Sequence, residues 1–556
     1  MNTQRSTLDA QRSTLLVAAL AVAALAIWIH LPCIHNQFLD WDDDVYLESV
    51  APHLPLSSGT VAWAFKALTP FYYHPLTWLS QALDCQLWGF KPAGHHLTNV
   101  LLHGANSALV LWLAWLLTDG VRERLAVAIS VAVVFAIHPL QVESVAWVAE
   151  RKNVLCGFFF LASLCAYVRH AREPQRQAWL WATVVLSGAA FLSKPMAVSL
   201  PFVMLVMDFY PLRRVESMGW RRLLVEKWWL FVGCLALAAA TIVPQVKIEA
   251  LRGLASLTLW ERFFVAVRGS IFYLWKLVWP AWLLPYYPLG QIQVMQPEFL
   301  VPLVAFVAIT AVSFWARKTV PAMLAAWAAY LALILPVSGL LQSGAQAAAD
   351  RFMYLAMVPL LLLLGAGCVW LWRRGNVVVR IALVVLLAGE AIFFGLRSRE
   401  QIAVWHDNAT FWRTVLTRYP QSGVANLHYA NVLNEQLRFD ESIPHARQAV
   451  EVLSGQSLPH AALGLAYLKT HQYPEAAEEL QAALRHDPDL LATRYNLACA
   501  YSRLGRLAEA EATLQKLLRD APQFGPAVAR DAELSAVRED PQYGPRLEVL
   551  IQPRAP

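Results

Sequence analysis

A long apolar run followed closely by an acidic one decides the fold. Residues Leu15–Leu31 read LLVAALAVAALAIWIHL, and residues Phe38–Tyr46 read FLDWDDDVY. At about 1.5 Å per residue, the first run is long enough to cross a bilayer as a helix. Four carboxylates within five positions, just beyond the membrane, repel one another and need either water or a function. We interpret them as the acidic edge of an active site; a well-solvated loop is the alternative.

The composition indicates a membrane protein with many spans. Of 556 residues, 58% are hydrophobic, 15% are charged and 23 are tryptophan, unlike the composition of a soluble chain. The net charge of +6 does not indicate nucleic-acid binding, because Lys and Arg form short clusters between apolar runs, a pattern that sets membrane topology. The seven cysteines form no CxxC pattern, and no His/Cys metal site is predicted.

Eleven apolar segments predict an all-α fold, a polytopic transmembrane helical bundle of about eleven spans within residues 1–396. The segments are 15–31, 94–117, 125–140, 154–170, 178–193, 196–210, 227–244, 299–316, 320–337, 352–371 and 377–395. A further segment, 260–290, carries several charges, and we interpret it as an amphipathic helix at the interface. The Lys/Arg clusters then share one side, taken as the inner one. This assignment places the first loop, 36–92, and the C-terminus outside.

Beyond Phe394 the composition changes to that of a soluble helical module. Residues 405–522 are predicted to form a tetratricopeptide-repeat α-solenoid, followed by a tail, 523–556. At a spacing of 34, the matching pairs are Leu463/Leu497, Gly464/Ala498, Tyr467/Tyr501, Ala476/Ala510, Leu480/Leu514 and Pro488/Pro522. An earlier copy is weaker, because Ser442 replaces the expected small apolar residue. Such a module normally binds protein.

Charged and aromatic residues collect on the outer connections. Basic residues on that side oppose the topological bias, so a function would explain their retention, although snorkelling toward the interface is an alternative. The candidate site residues are Asp40, Asp42, Asp43, Asp44, Tyr46 and His74 in the first loop; His138, Glu143, Glu150, Arg151 and Lys152 between the third and fourth spans; Lys194 between the fifth and sixth; and Asp350, Arg351 and Tyr354 at the tenth.

This order of segments resembles the GT-C glycosyltransferases, which take sugars from polyprenyl phosphates. Spans followed by repeats resemble, more closely, the transmembrane and tetratricopeptide-repeat O-mannosyltransferases of the ER and their bacterial relatives. The likeness is carried by Phe38–Tyr46, His138–Arg151, Ser193–Pro195 and Asp350–Leu355. Two features depart from the pattern: the extra aspartates Asp40 and Asp44 leave the identity of the base open, and Asp350 stands where the ER enzymes often have Glu.

The resemblance implies transfer of a sugar from a lipid phosphate to a hydroxyl, with inversion in a single displacement. Such a reaction needs a carboxylate to take the proton and cations to hold the departing phosphate. Asp42, then Asp43, is the expected base. Arg151, Lys194 and Arg351 are expected at the phosphate, with Lys152 and His138 as weaker candidates. No metal is required, although a divalent ion between the aspartates is an alternative.

Two other hypotheses stay open. The sugar acceptor is a lipid or envelope glycan rather than a protein, or the chain is a transporter or membrane-anchored scaffold without chemistry. The expected partners are a polyprenyl-phosphate sugar, membrane lipids and a protein at the repeats. A bacterial inner membrane with a periplasmic site is expected, or the ER membrane in a eukaryote.

Overall fold

The structure is a computed structural model that describes residues 2–67, 73–247, 257–290, 292–340 and 346–551. Residues 68–72 of the predicted first loop and 552–556 of the predicted tail lie outside the described part. The chain divides into two compact units, one ending at Asp407 and the other beginning at Asn408. The boundary falls just after the predicted end of the membrane domain, because the helix that begins at Val377 continues to Val404.

The first unit is almost entirely helical, as predicted. Its helices are α1 Asn2–His30, α2 Asp43–Val50, α3 Ser58–Lys66, α4 Pro75–Trp88, α5 Pro92–Leu117, α6 Arg124–Ile137, α7 Val142–Ala146, α8 Arg151–Arg172, α9 Gln177–Ser193, α10 Leu200–Phe209, α11 Arg214–Glu226, α12 Trp228–Lys247, α13 Leu259–Val278, α14 Pro297–Trp315, α15 Pro321–Ile334, α16 Met353–Arg374 and α17 Val377–Val404. Two short strands, β1 Tyr287–Pro288 and β2 Gln346–Ala348, pair antiparallel.

Every one of the eleven predicted spans overlaps an apolar helix, which confirms the all-α membrane class. Among the described residues, seven helices are long and apolar enough to cross a bilayer: Ser13–His35, Pro92–Leu117, Val148–Arg172, Arg214–Ala240, Pro297–Lys318, Asp350–Arg374 and Val377–Val404. An eighth is a pair, Arg124–Ile137 and Pro139–Ala146, bent by 56°. The other three, Gln177–Ser193, Pro195–Phe209 and Pro321–Val337, are shorter.

Helix α5 packs against α1, α6 and α8. Small residues let these helices approach closely: a Cβ on Gly104 would lie 2.9 Å from Ile27 of α1, and one on Gly157 of α8 would lie 3.2 Å from Asn106 of α5. The side of α5 that faces its neighbours is also polar, with His95, Asn99 and other amide and imidazole groups buried. Because a buried polar group must find a hydrogen-bond partner, α5 fixes the connections that surround it.

The predicted interfacial segment contains helix α13. Thr258 and Glu261 form a capping box at its start, which satisfies two otherwise unpaired amides. Tyr273 and Lys276 lie on its buried face, whereas Trp260 and Trp275 are exposed. Tryptophan on one face and packing on the other suit a helix at the headgroup level, and that position remains a prediction.

The second unit is a stack of helix pairs, which confirms the predicted solenoid. Its helices are α18 Asn408–Arg418, α19 Gly423–Glu435, α20 Phe439–Val452, α21 Ser457–Lys469, α22 Tyr473–His486, α23 Leu491–Arg503, α24 Leu507–Asp520, α25 Gly525–Arg530, α26 Ser535–Arg538 and α27 Gly544–Ile551. Leu463, Leu497, Ala476 and Ala510 are buried. Ser442 is tolerated in the core because its hydroxyl donates to the carbonyl of Ala430 at 3.0 Å.

The turn inside each helix pair repeats at the period of the sequence. Leu437, His471 and Gly505, each 34 residues after the last, have φ of 60°, 64° and 72°. Each following amide donates to a carbonyl five residues back, at 2.8 to 2.9 Å, as in a Schellman motif. The period is therefore a backbone property, and only Gly505 is the residue type that this conformation favours.

The predicted tail is ordered from residue 523 to residue 551 and packs on the last repeat. Val528, Leu534, Val537 and Leu547 join its hydrophobic core. A solenoid needs a terminal cap to cover the apolar face of its final pair. The described part of the tail serves as this cap.

Candidate active site

Asp43 attaches the first loop to the bundle. Its carboxylate is fully buried and accepts from the amide of Leu39 at 2.9 Å and from the amide of Ala149 at 2.7 Å. Burial raises the pKa of Asp43 to about 7, and the two amide hydrogen bonds oppose that rise. Both oxygens of Asp43 therefore hold the loop against the bundle.

Asp42 lies beside Asp43 but faces the solvent. It precedes α2 as its N-cap residue and is exposed. Surrounding protein nevertheless raises the pKa of Asp42, an effect that the nearby charges of Lys152 and Arg351 oppose. The Asp42 carboxylate is thus exposed to solvent and also close to other protein groups, as is expected in an open cleft. A raised pKa makes a carboxylate a better general base.

Tyr46, one helical turn after Asp42, connects α2 to the cations of α8. Lys152 Nζ donates to the Tyr46 hydroxyl at 3.3 Å and lies 5.0 Å from the ring centroid. Behind it, Trp78 lies 4.9 Å from the Tyr46 ring and His74 lies 5.6 Å from it. Burial raises the pKa of Tyr46 to about 12, so this hydroxyl stays protonated.

Glu150 is the centre of a cluster of three cations. Lys194 Nζ lies 2.9 Å from one of its oxygens, and Lys152 Nζ and Arg351 Nε lie 3.2 and 3.4 Å from the other. Glu150 is only 1% exposed. Burial lowers the pKa of Lys194, which Glu150 opposes. The structure thus brings together three of the predicted phosphate-binding residues.

Glu143 fixes Arg351 from the other side. One Glu143 oxygen accepts from the Arg351 backbone amide at 2.8 Å, and the other accepts from the guanidinium. The Arg351 guanidinium also lies 5.3 Å from the centre of the Trp147 ring. Three cations against Glu143 and Glu150 leave one positive charge, before the aspartates are counted.

Arg151 points away from this cluster. Its guanidinium is fully buried and donates to Asp84 at 2.7 Å, to the carbonyl of His95 at 2.7 Å, to Ser80 at 3.0 Å and to Asn99. Four of its five N–H groups are thus used by residues of α4 and α5. The structure therefore places Arg151 apart from the other predicted phosphate-binding residues: consecutive helical residues point about 100° apart, so Arg151 and Lys152 face different neighbours.

Two other predicted residues, His138 and Tyr354, are bonded inside the bundle. His138 lies at the bend after α6, where it bonds the carbonyl of Leu277 at 2.9 Å and the amide of Leu140 at 3.2 Å. The Tyr354 hydroxyl is buried between His103 and Asn106, at 3.0 and 2.8 Å. Neither side chain reaches the cations, because each is occupied inside the bundle.

The remaining acidic candidates lie at the margins of the cluster. Asp44 is exposed and accepts from the amide of Val45 at 2.8 Å, and Asp40 is half-buried. Asp350 is buried and accepts from the Tyr287 hydroxyl at 3.0 Å. Among the described residues, no three His, Cys, Asp or Glu side chains are placed to hold a metal ion together.

The sequence analysis did not single out Trp147 and Asn153. The Trp147 ring lies within 5.4 Å of both Lys152 and Arg351. Asn153 accepts from Lys194 at 3.2 Å and donates to the carbonyl of Arg351 at 3.0 Å. Both residues lie close to Glu150 in the sequence, where an Asn or a Trp has the same appearance as a residue that only packs. No sequence signal separates them from packing.

Comparison with known proteins confirms the resemblance. A tetratricopeptide-repeat family model matches residues 467–530. Human "Protein O-mannosyl-transferase TMTC1" is 22% identical over 429 residues, which cover 68% of this chain and 48% of that protein. Human "Protein O-mannosyl-transferase TMTC4" is 32% identical over 143 residues, 23% of this chain and 19% of its own length. Mouse "Protein O-mannosyl-transferase TMTC2" is 28% identical over 218 residues, 36% and 25%. The chain spans half or less of the length of these relatives.

Proposed function

We propose that this chain is an integral membrane glycosyltransferase that moves a sugar from a polyprenyl phosphate to a Ser or Thr hydroxyl of a protein, on the non-cytosolic side. The observation that carries the proposal is the exposed carboxylate of Asp42 beside three clustered cations, Lys152, Lys194 and Arg351. The relatives' printed names point the same way, since each is called a protein O-mannosyl-transferase.

Asp42 acts as the general base. The acceptor oxygen attacks the anomeric carbon while the bond from that carbon to the phosphate oxygen breaks, which inverts the centre. The hydroxyl proton passes to Asp42 late in this step, because a free hydroxyl is a very weak acid. Negative charge therefore leaves Asp42 as it appears on the phosphate.

The cation cluster stabilises the leaving group. The phosphodiester of a polyprenyl phosphate sugar carries one negative charge. The polyprenyl phosphate that is released gains a second negative charge. The single surplus positive charge beside Glu143 and Glu150 matches the donor, and Lys152 and Arg351, the two cations nearest Asp42, meet the charge that develops. Arginine and lysine are suited to phosphate because their donors form charge-assisted hydrogen bonds.

Asp43 sets the position of Asp42. Asp43 bonds to Leu39 in its own loop and to Ala149, more than 100 positions away. These bonds hold the start of α2 against the connection that carries Glu150. An essential base must lie within hydrogen-bond reach of its proton. Asp43 is therefore a positioning residue, and the repeats would capture the acceptor protein.

The test is incorporation of labelled sugar into peptides or proteins. Purified chain is incubated with a panel of polyprenyl phosphate sugars and acceptors, beside Asp42→Asn and the exposed-neighbour control Asp44→Asn. We expect Asp42→Asn to lower turnover about 100- to 10,000-fold with unchanged donor affinity, and Asp44→Asn to stay near wild type. Transfer to lipid alone would show that the acceptor is a lipid and not a protein. No transfer from any sugar donor would favour a scaffold without chemistry.

A further inference from the structure

A second buried ionic network lies far from the proposed site. Arg214 lies 3.0 Å from Asp208 and 2.7 Å from Glu226, and donates to the hydroxyl of Tyr167 at 2.7 Å. Lys227 lies 2.5 Å from Asp208, which is fully buried. Tyr167 is 15 residues along α8 from Lys152, roughly 22 Å at 1.5 Å per residue. The network clamps α11 to the bundle and takes no part in sugar transfer.

Three arginines, one just before α11 and two after its break at Gly219, have no protein partner among the described residues. Arg213, Arg221 and Arg222 are exposed, and none forms an ion pair or side-chain hydrogen bond within the part of the chain that the structure describes. By contrast, Arg124 and Arg172, which also lie near span ends, are paired: they lie 2.8 and 3.1 Å from Asp119. The outward arginines of α11 are thus available to a ligand.

Exposed apolar side chains lie beside these arginines. Trp220 is 48% exposed, Leu224 45% and Trp228 62%, and their spacing of four places them along one side of a helix. Helix α12 begins at Trp228 and has 20 residues, which at 1.5 Å each is about the thickness of the hydrocarbon core. The turns that precede it therefore lie at the headgroup level.

Helix α11 is interrupted just before Arg221 and Arg222. Gly219 has φ 72° and ψ 155° inside α11, and no atom lies within 4 Å of where its Cβ would be. A positive φ at this position favours glycine. The break lets residues 220–226 take a direction of their own while the clamp at Arg214, Glu226 and Lys227 holds both ends.

We propose that Arg213, Arg221 and Arg222, with Trp220 and Trp228, bind the phosphate headgroups of anionic phospholipids. Arginine offers a planar fork that matches phosphate oxygens, and tryptophan prefers the membrane interface. The buried clamp fixes the backbone, so binding orders only side chains. This surface is independent of the proposed glycosyl transfer and would hold whatever the reaction.

The test counts lipids on the full chain. Protein is equilibrated with phosphatidylcholine alone or with an equal mixture of phosphatidylcholine and phosphatidylglycerol, and retained lipids are measured by native mass spectrometry with the thermal midpoint in parallel. Wild type should retain phosphatidylglycerol preferentially and unfold at a higher temperature with it. The variant R213Q/R221Q/R222Q should bind phosphatidylglycerol about 10- to 100-fold more weakly.

The control R124Q/R172Q/R176Q removes the same charge from arginines that pair with acids. It should keep the lipid preference. An equal loss in both triple variants would overturn the proposal, because net charge alone would then explain binding. Displacement of the lipid by inorganic phosphate at matched concentration would also overturn it in favour of a free-anion site. Unchanged unfolding of both variants in phosphatidylcholine alone verifies the fold.

Discussion

Replacing Glu150 by glutamine should have opposite effects on stability and on phosphate binding. Its carboxylate is within 3.4 Å of Lys152, Lys194 and Arg351. Glutamine keeps the shape and loses the charge, so Glu143 would be the one buried glutamate left in the cluster, beside the exposed Asp42. Each cation would then repel the others across a nearly dry cluster.

The magnitudes follow from this geometry. Removing one partner of a buried ion network costs about 3 to 5 kcal/mol, so the free energy of unfolding should fall by that order. One more positive charge, acting on a phosphate about 5 Å away at an effective dielectric constant near 20, contributes about 3 kcal/mol. The dissociation constant of a polyprenyl monophosphate should therefore fall by about 100-fold.

Thermal unfolding of the purified chain and titration with a short-chain polyprenyl monophosphate measure the two effects. The control is Glu123→Gln, whose carboxylate is part-exposed and pairs with an exposed Arg373. Surface pairs contribute little because solvent screens them, so this control should barely change either quantity. If Glu150→Gln unfolds like wild type, or binds phosphate no better, Glu150 is not the counter-ion of a phosphate site.

Four further outcomes are expected. Because its surroundings raise the pKa of Asp42, activity should rise with pH through a pKa above the ordinary aspartate value, and a kcat profile whose acid limb sits at the ordinary value would contradict this. In the absence of the sugar donor, Asp43→Asn should increase the hydrogen exchange of residues 36–50, whereas Asp42→Asn should leave it unchanged. Asp43→Asn should also lower kcat more than it lowers the affinity for the sugar donor. Arg151→Lys loses hydrogen bonds to α4 and α5 and should lower the melting temperature by a few degrees. A change in the affinity for the sugar donor with no change in melting temperature would contradict this. Leu437→Gly should stabilise the chain by about 0.5 to 1 kcal/mol, since it relieves a left-handed residue. A glycine in place of exposed Glu478, in the middle of α22, should destabilise it by a similar amount.

Patterns longer than a helical turn could be predicted from the sequence. The eleven apolar runs and the 34-residue period both appear as helices in the predicted places, because bilayer thickness and repeat stacking each impose a length. The helix breaks at His138 because Pro139 disfavours helical backbone at the residue before it, but the contact of His138 with Leu277 in α13 could not be predicted. Only the folded chain brings those residues together.

Within the site, the predicted connections lie together, but the directions of their side chains could not be predicted from the sequence. It selected Arg151 ahead of Lys152, and no sequence signal ranks two neighbours whose directions differ by about 100°. Asp42 and Asp43 present the same difficulty: one is exposed and the other is tied to Ala149, a residue more than 100 positions away. Composition and spacing carry no information on such a distant partner.

The left-handed turns at Leu437, His471 and Gly505 make the solenoid modular along its length. Since every pair closes with the same backbone path, a unit of 34 residues can be inserted or removed at a turn and its neighbours will meet the same surfaces as before. Evolution, or an engineer, can thus lengthen the reach of this module in fixed increments without redesigning any junction.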